Sequence, residues 1–301
     1  MAEPVSTSKS DPARWLVVVI PYLWMVLFFV APFLIIVKIS LSDTAIAMPP
    51  YTPVFEGLAS IRDYLSQLDF ENYFFLLEDP LYMNAYLSSL RIASISTLLL
   101  LLIGYPMALA MARASVTIRP TLLMLVILPF WTSFLIRVYA WIGILKPEGL
   151  LTIVLHWLGL MDPNDQVQIF RTETAVFIGI VYSYLPFMVL PLYSALEKLD
   201  GTLLEAASDL GCPPWKAFWK ITFPLSIPGV IAGSMICFIP ITGEFVIPDL
   251  LGGAETLMIG KTLWTEFFGN RDWPLASAVA VLLLLMLVVP IAIFQNQQQK
   301  A

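Results

Sequence analysis

Two ionisable side chains lie inside long apolar stretches of the sequence. Arg137 interrupts the run Thr121–Leu145, and Glu244 lies near the end of the run Ile227–Ile247. An ionised group inside a membrane is costly, so such a residue is a functional candidate by default. Two helices rising about 1.5 Å per residue would bring both groups to similar depth. Three interpretations stay open: an ion pair between helices, an arginine that reaches outward, or a glutamate that binds a cation in a cavity.

Further residues extend the candidate path for a cation. Aromatic rings attract cations through their faces, although most rings in such a chain serve packing or the membrane interface. The segments predicted to lie outside hold about 15 acidic residues against five basic ones, and a negative mouth concentrates cations. On these grounds we add four residues to Arg137 and Glu244 as candidates for the substrate path: Trp131, Tyr139, Tyr184 and Asp249.

No group of residues suited to catalysis is found in the sequence. It has no glycine-rich phosphate loop ending in Lys-Ser or Lys-Thr and no nucleophile elbow. The single histidine, His156, and the two cysteines leave no metal-ligand cluster. The net charge of −6 gives no indication of nucleic-acid binding. We therefore expect a chain that is not an enzyme, has no catalytic residues and binds no metal or cofactor of its own.

Composition places the chain in a membrane. Hydrophobic residues make up 59% of the 301 residues, charged residues 13%, and the mean hydropathy is +0.83. These values are typical of integral membrane proteins, in which an apolar run of about 20 residues spans the hydrocarbon as a helix. Six such runs predict an all-α fold with six transmembrane helices: Trp15–Val37, Ile92–Met111, Thr121–Leu145, Thr174–Leu196, Ile227–Ile247 and Trp273–Phe294.

Lysine and arginine predict the orientation. With the N-terminus inside, the inner segments hold eight of these residues and the outer segments five, and cytoplasmic segments carry the excess. We therefore expect both termini in the cytoplasm, with a tail at 1–14, one transmembrane domain at 15–294 and a tail at 295–301. The first apolar run is longer than the core of a cleaved signal peptide, so we expect it to be retained.

A polar segment at about 197–226 separates two apolar runs on the predicted cytoplasmic side. Glu205–Leu210 contains good helix formers, and Gly211 supplies the left-handed residue that ends a helix. The Pro-Pro pair that follows suits the first turn of a second short helix. That helix would carry three large aromatic side chains that have little reason to lie in solvent: Trp215, Phe218 and Trp219.

The spacing within this segment is specific. Glu205-Ala206-Ala207 is followed after three residues by Gly211, and after nine more by Ile221-Thr222-Phe223-Pro224. The pattern resembles the EAA loop of binding-protein-dependent ABC importer permeases, which have a MetI-like fold; they usually have Leu where this chain has Phe223. The resemblance implies docking into grooves on ATPase subunits, through Glu205, Ala206, Ala207, Asp209, Gly211, Trp215, Phe218 and Pro224.

Other segments extend the resemblance over nearly the whole chain. Leu128–Arg137, Leu185–Tyr193, Asp249–Ala254 and Asn270–Pro274 are similar to polyamine importer permeases, and Ile241–Pro248 is closer to the putrescine type. The resemblance implies a bacterial inner-membrane importer of putrescine or spermidine. Its other parts would be a second, related permease in a heterodimer, two cytoplasmic ATPase subunits that use ATP and Mg²⁺, and a periplasmic polyamine-binding protein.

Three other functions stay open at this stage, and one of them is a membrane-embedded assembly or signalling protein without a substrate path. The chain could be a secondary carrier of cations or amines, although no internal repeat is visible of the kind on which many such carriers are built. It could also be an ABC importer permease for another small solute, because the motif that predicts ATPase docking does not identify the substrate.

Overall fold

In the computed structural model, residues 12–54, 66–162 and 165–298 are described, and most of them are helical. Residues 1–11 of the predicted N-terminal tail and 299–301 of the C-terminal tail lie outside the described residues. The chain forms two units, one of Met1–Leu76 and Glu266–Leu282, the other of Leu77–Thr265 and Leu283–Ala301.

The described helices are numbered in chain order. They are α1 (Pro12–Met25), α2 (Ala31–Ser40), α3 (Glu71–Glu78), α4 (Pro80–Arg113), α5 (Arg119–Ile127), α6 (Phe134–Leu145), α7 (Leu150–Trp157), α8 (Glu173–Glu197), α9 (Thr202–Asp209), α10 (Pro214–Ala217), α11 (Phe223–Thr242), α12 (Val246–Leu251), α13 (Ile259–Trp264) and α14 (Trp273–Gln298). Three π-helical segments, Val26–Val30, Phe218–Thr222 and Thr265–Asn270, and one 3₁₀ turn, Leu128–Trp131, complete the helical structure of the described residues. A short antiparallel pair joins β1 (Asp43–Thr44) to β2 (Tyr51–Thr52).

The first unit combines an apolar helix with a polar cap. From Val17 to Ser40 the helix is apolar, and none of its most apolar stretch is buried inside the protein, as expected for a helix that faces lipid. Beyond its end, the Asn72 side chain donates hydrogen bonds to the carbonyls of Ser40, at 3.1 Å, and Ser42, at 2.8 Å. These bonds satisfy carbonyls that a helix end leaves without partners.

The core of the second unit lies where α4, α8 and α11 pack together. Glycines allow their close approach around Met188, which is fully buried. A Cβ atom at Gly104 would lie 3.0 Å from Cγ of Met188, and one at Gly233 would lie 2.9 Å from its Sδ. Small residues at such contacts let backbones pack closely, which is the usual way in which membrane helices associate.

Four helices are long and apolar enough to cross a membrane: Val17–Ser40, Pro80–Arg113, Glu173–Glu197 and Pro214–Thr242. A fifth crossing results if α5, the 3₁₀ turn and α6 together form one span, and the apolar part of α14, Trp273–Val288, is shorter. Among the described residues, the structure therefore confirms a predominantly helical membrane protein with four or five candidate spans.

Two predicted spans have different boundaries in the structure. Thr121–Leu145 is not one straight helix, because the segments on either side of Thr132 and Ser133 meet at 87°. The extended backbone of Thr132 ends the 3₁₀ turn that contains Pro129, whose ring cannot continue a regular helix. The fifth span was placed at Ile227–Ile247; its helix instead begins at Pro214 and ends at Thr242.

Candidate functional site

The segment that resembles an EAA loop begins with the short helix α9. Oδ1 of Asp200 accepts a hydrogen bond from the backbone N–H of Thr202, at 3.0 Å. This bond and one from the Thr202 side chain lower the pKa of Asp200. The helix ends at Gly211, whose φ is +71°. The N–H of Cys212 reaches the Ala207 carbonyl and that of Gly211 the Ser208 carbonyl, which is a Schellman motif. The predicted glycine bend is confirmed.

The second short helix expected in this segment is not a separate element. α10 continues through the π-helical segment Phe218–Thr222 directly into α11, so one helical stretch of 29 residues runs from Pro214 to Thr242. The missing N–H of Pro214 is harmless at a helix start, and the helix tolerates Pro228 and Pro240 in its interior before it ends at Gly243. α10 and α11 are therefore joined without an intervening loop.

The candidate coupling residues divide by exposure. Glu205, Ala206, Asp209, Gly211 and Pro224 are exposed, whereas Ala207 is buried. Of the large aromatic residues, only Phe218 points inward, with its ring 5.7 Å from that of Tyr105. The Trp215 side chain is 70% exposed and Trp219 is 48% exposed in this chain, and their burial against a partner stays a prediction. The two rings lie edge to face at 5.6 Å and form an outward-facing apolar surface.

Glu244 lies in a break between two helices rather than within a span. Glu244 lies between the end of α11 at Thr242 and the start of α12 at Val246. Its exposed fraction is 8%. Oε1 accepts hydrogen bonds from the N–H groups of Val246, at 3.0 Å, and Ile247, at 3.4 Å. Tyr184 donates its hydroxyl proton to Oε2 at 2.6 Å. The carboxylate thus binds the first turn of α12 and Tyr184, and Glu244 lies after the helix end instead of inside the predicted span.

Close backbone packing surrounds this break. A Cβ atom at Gly260 would lie 2.7 Å from the Glu244 carbonyl oxygen, so only glycine allows α13 to approach Glu244 this closely. Phe245, the next residue, stacks on Trp264 of α13 with ring centroids 4.5 Å apart. Glu244 is therefore held between α8 on one side and α13 on the other. Neither the approach of Gly260 to Glu244 nor the stacking of Trp264 on Phe245 has a local signal in the sequence.

Arg137 is buried, and its exposed fraction is 9%. Its Cζ lies 5.0 Å from the Phe130 ring centroid and 5.8 Å from that of Phe134. Within the described residues, Nε and Nη1 have no hydrogen-bond partner, and no ion pair joins Arg137 to Glu244. The ion-pair interpretation does not hold in this conformation, because the carboxylate is used by Tyr184 and α12.

Aromatic rings connect the two ionisable residues. From Arg137 the contacts run through Phe130 to Phe187, whose ring centroids are 5.1 Å apart. Phe187 lies 6.0 Å from Tyr184, which binds Glu244. Of the candidate path residues, the structure therefore connects Arg137, Tyr184 and Glu244. Phe130 and Phe187 were missed as candidates, although both lie within segments that carry the resemblance to polyamine permeases.

The remaining candidate path residues lie elsewhere. Trp131 and Tyr139 are 74% and 59% exposed, on the outward-facing side of the bent α5–α6 pair. Asp249 of α12 forms an ion pair with Lys261 of α13, with Oδ1 and Nζ 3.6 Å apart. Among the described residues, no hydrogen bond, ion pair or ring contact joins any of these three to Glu244, so the structure does not bring the whole candidate set together.

One group of acidic side chains in the described residues has the spacing of metal ligands. Oxygens of Asp43, Asp69 and Glu71 lie within 4.8 Å of one another, and all three residues are exposed. Part of this proximity has a local cause, because Oδ1 of Asp69 accepts a hydrogen bond from the N–H of Glu71 at 2.9 Å. Exposed carboxylates without neutral ligands or buried partners do not define a metal site.

Residues 101–298 match the family described as binding-protein-dependent transport system inner membrane component. The chain belongs to this family. It is accordingly a multi-pass inner-membrane component of a transport system rather than an enzyme, and the resemblance to ABC importer permeases is confirmed. The docking role of α9 and Gly211 stays a prediction.

Two named relatives are similar over most of their length. The spermidine/putrescine transport system permease protein PotB of Haemophilus influenzae is 39% identical over 277 residues, which is 92% of this chain and 91% of that protein. PotB of Escherichia coli is 44% identical over 224 residues, 74% of this chain and 80% of that protein.

Solved structures show the same fold at low sequence identity. A bacterial ABC transporter involved in the import of alginate matches 96% of this chain and 95% of its own, with a TM-score of 0.68 and 16% identity. The MetNI methionine ABC transporter matches 76% of this chain and 98% of its own, with a TM-score of 0.55 and 18% identity. The chain therefore has the fold of ABC importer permeases.

Proposed function

We propose that this chain is the membrane-spanning permease subunit of an ATP-driven importer of polyamines, with putrescine and spermidine as its substrates. The observation that carries the proposal is the 39% identity to a spermidine/putrescine permease across 92% of the chain. The buried carboxylate of Glu244 agrees with a cationic substrate, because a desolvated carboxylate is the natural partner of an ammonium group.

The proposed membrane topology has six spans with both termini in the cytoplasm. The four long helices supply four spans, the bent α5–α6 pair the fifth, and α14 the sixth. The excess of lysine and arginine on one side supports this orientation. It places α9 and α10 in the cytoplasm, where an ATPase subunit can reach them.

The proposed coupling surface consists of α9, Gly211 and the exposed ring of Trp215. Glu205 and Ala206 of this surface are exposed, and so is the apolar surface that Trp215 and Trp219 form. An exposed aromatic pair at an interface is a typical binding hot spot. The ATPase subunits bind ATP and Mg²⁺ in this proposal, and the permease contributes no nucleotide ligand.

The proposed partners are a second, related permease in a heterodimer, two ATPase subunits and a periplasmic polyamine-binding protein. The binding protein delivers the amine to the outer side, and Glu244 with Tyr184 receives it within the membrane. In the described conformation the carboxylate is occupied by Tyr184 and by two backbone N–H groups. An ammonium group would therefore bind by replacing the Tyr184 hydroxyl at Oε2.

Reconstitution tests the proposal. The chain is placed in vesicles with its partner permease and ATPase subunits, and uptake of labelled putrescine is measured with the binding protein and ATP, with spermidine as competitor. ATP-dependent uptake that spermidine competes is expected, and Glu205→Lys should abolish it without loss of membrane insertion. Uptake by the chain without an ATPase would show a secondary carrier instead, and uptake of a different solute alone would remove the polyamine assignment.

A further inference from the structure

A buried tyrosine on a neighbouring helix contacts the junction between the proposed coupling segment and its membrane helix. Tyr105 of α4 is only 7% exposed. Its ring lies edge to face with Phe218, with centroids 5.7 Å apart, and 5.9 Å from the ring of Phe223. Phe218 begins the π-helical segment and Phe223 directly follows it. Tyr105 therefore packs against the point where α10 becomes α11.

The hydroxyl group of Tyr105 has a defined partner in the same place. It lies 2.8 Å from Oγ of Ser226, which donates its own proton to the Phe223 carbonyl at 2.9 Å. Because a serine hydroxyl has one proton, Tyr105 is the donor and Ser226 the acceptor in the first bond. Two successive hydrogen bonds therefore tie α4 to the backbone at the end of the π-helical segment.

The π-helical segment is a weak point in the helical stretch. π-helical turns are rare and often occur at functional sites, and this one leaves the buried hydroxyl of Thr222 without a hydrogen-bond partner in the described residues. A helix interrupted in this way bends more easily there than along a regular α-helix. A force applied to α10 would therefore bend the helix at Phe218–Thr222 unless a neighbour holds that point.

We propose that Tyr105 is a positioning residue that fixes this junction, so that movement of α10 turns α11 as one body with it. The inference rests on the proposed coupling function and deepens it. The Tyr105 ring contacts both Phe218 and Phe223. The hydroxyl supplies the directional contact that stops the junction from sliding along α4. Loss of the hydroxyl should therefore uncouple ATP hydrolysis from uptake rather than prevent assembly.

The test compares variants in the complete transporter, with partner permease, ATPase subunits and binding protein, reconstituted in vesicles. Uptake of labelled putrescine and ATP hydrolysis are measured in the same sample. Tyr105→Phe keeps the ring and removes one buried hydrogen bond, so we expect the amine imported per ATP to fall about fivefold. Ser226→Ala should lower the ratio similarly. The double variant should be no worse than either single variant, because both changes remove the same contact.

Tyr182→Phe is the matched control, since Tyr182 lies on α8, its ring packs on Trp141 at 5.4 Å and no hydrogen bond of its hydroxyl is present in the described chain. Its uptake ratio should equal that of the unchanged protein. An unchanged ratio in Tyr105→Phe overturns the inference, and so does a fall in assembled complex with an unchanged ratio. An unchanged protein that hydrolyses ATP with binding protein and amine present, yet imports no amine, would overturn the proposed function and this inference together.

Discussion

The hydroxyl group of Tyr184 lies 2.6 Å from Oε2 of Glu244, while Oε1 of the same carboxylate accepts backbone N–H groups at the start of α12. The contact joins α8 to the break after α11 across 60 residues of sequence. Glu244 therefore has a structural partner for each oxygen. One oxygen is bound to a side chain that a ligand can displace, and the other to backbone that stays in place.

This arrangement makes Glu244→Gln an informative substitution. Glutamine keeps the size of the side chain and an oxygen that can cap α12, but it removes the charge that would attract an ammonium group. We expect normal amounts of assembled complex and an increase of about tenfold or more in the KM for putrescine, because a charged hydrogen bond is replaced by a neutral one. The measurement is uptake as a function of putrescine concentration in reconstituted vesicles.

Glu173→Gln is the control for this prediction. Glu173 forms an exposed ion pair with Arg91 at 2.6 Å, and exposed pairs contribute little, so its uptake should stay close to that of the unchanged protein. If Glu244→Gln imports putrescine with an unchanged KM, Glu244 is a capping residue and the substrate lies elsewhere. If the complex fails to assemble, the cap requires the negative charge, and the proposed role in binding loses its support.

Arg137 provides a second test, which separates a buried charge from an ion pair. Its Nε and Nη1 lack partners in the described chain, so Arg137→Met removes an uncompensated buried charge and the cation–π contact with Phe130. Removal of the buried charge should stabilise the complex, and loss of the cation–π contact should destabilise it. We therefore expect a net change in the stability of the complex within about 1 kcal/mol. The melting temperature of the purified complex in detergent measures it.

The double variant Arg137→Met with Glu244→Gln tests whether the two side chains are coupled. Residues that share no contact have additive effects to within about 0.5 kcal/mol, and additivity is expected here. A loss of assembly in Glu244→Gln that is restored by Arg137→Met would show that the two groups pair in another conformation. That result would contradict the separate roles that their contacts indicate.

Local features of the fold could be predicted from the sequence, because they depend on a few neighbouring residues. Gly211 was predicted to end a helix, and its positive φ and Schellman hydrogen bonds confirm it. The long helix Glu173–Glu197 agrees with the predicted fourth span to within one residue at either end. Apolar runs bounded by polar residues identify such helices directly.

The position of Glu244 could not be predicted in this way. Hydropathy stays high through Ile247, so hydropathy alone does not mark the helix end at Thr242, although Gly243 directly follows it. The expectation that Arg137 and Glu244 lie at similar depth also assumes a straight helix through Arg137. The chain instead bends by 87° at Thr132 and Ser133, so the assumption does not hold. Contacts such as that between Tyr105 and Ser226, separated by 121 residues, depend on tertiary packing and have no local signal.

The conformation of Gly211 leads to a prediction about the coupling segment. Its φ of +71° strains any residue with a Cβ, at about 1–2 kcal/mol. We expect Gly211→Ala to weaken ATPase binding about tenfold, because a strain energy of this size corresponds to a tenfold change in a binding constant. Gly211→Pro should abolish uptake, since proline fixes a negative φ and removes the N–H that reaches Ser208 at 2.8 Å. ATPase co-purification and uptake measure the two effects.

Gly201→Ala is a control that changes the same atoms without the strain. Neither glycine has another atom within 4 Å of where a Cβ would lie, but Gly201 has a φ of −59°. ATPase binding should therefore stay normal in Gly201→Ala, which isolates backbone conformation as the cause. Equal loss in both alanine variants would mean that the new methyl group, rather than the bend, disturbs docking.

The exposed indole of Trp215 leads to the last prediction. The indole is apolar and 70% exposed. In the proposed cytoplasmic position, an exposed apolar surface of this kind indicates a partner that covers it. Trp215→Ala should therefore weaken ATPase binding by about 2 kcal/mol, as for an interface hot spot, with no loss of membrane insertion. Trp157→Ala is the control, because Trp157 on α7 is 84% exposed and is expected on the outer side. Normal ATPase binding in Trp215→Ala would show that docking does not use the exposed face of α10.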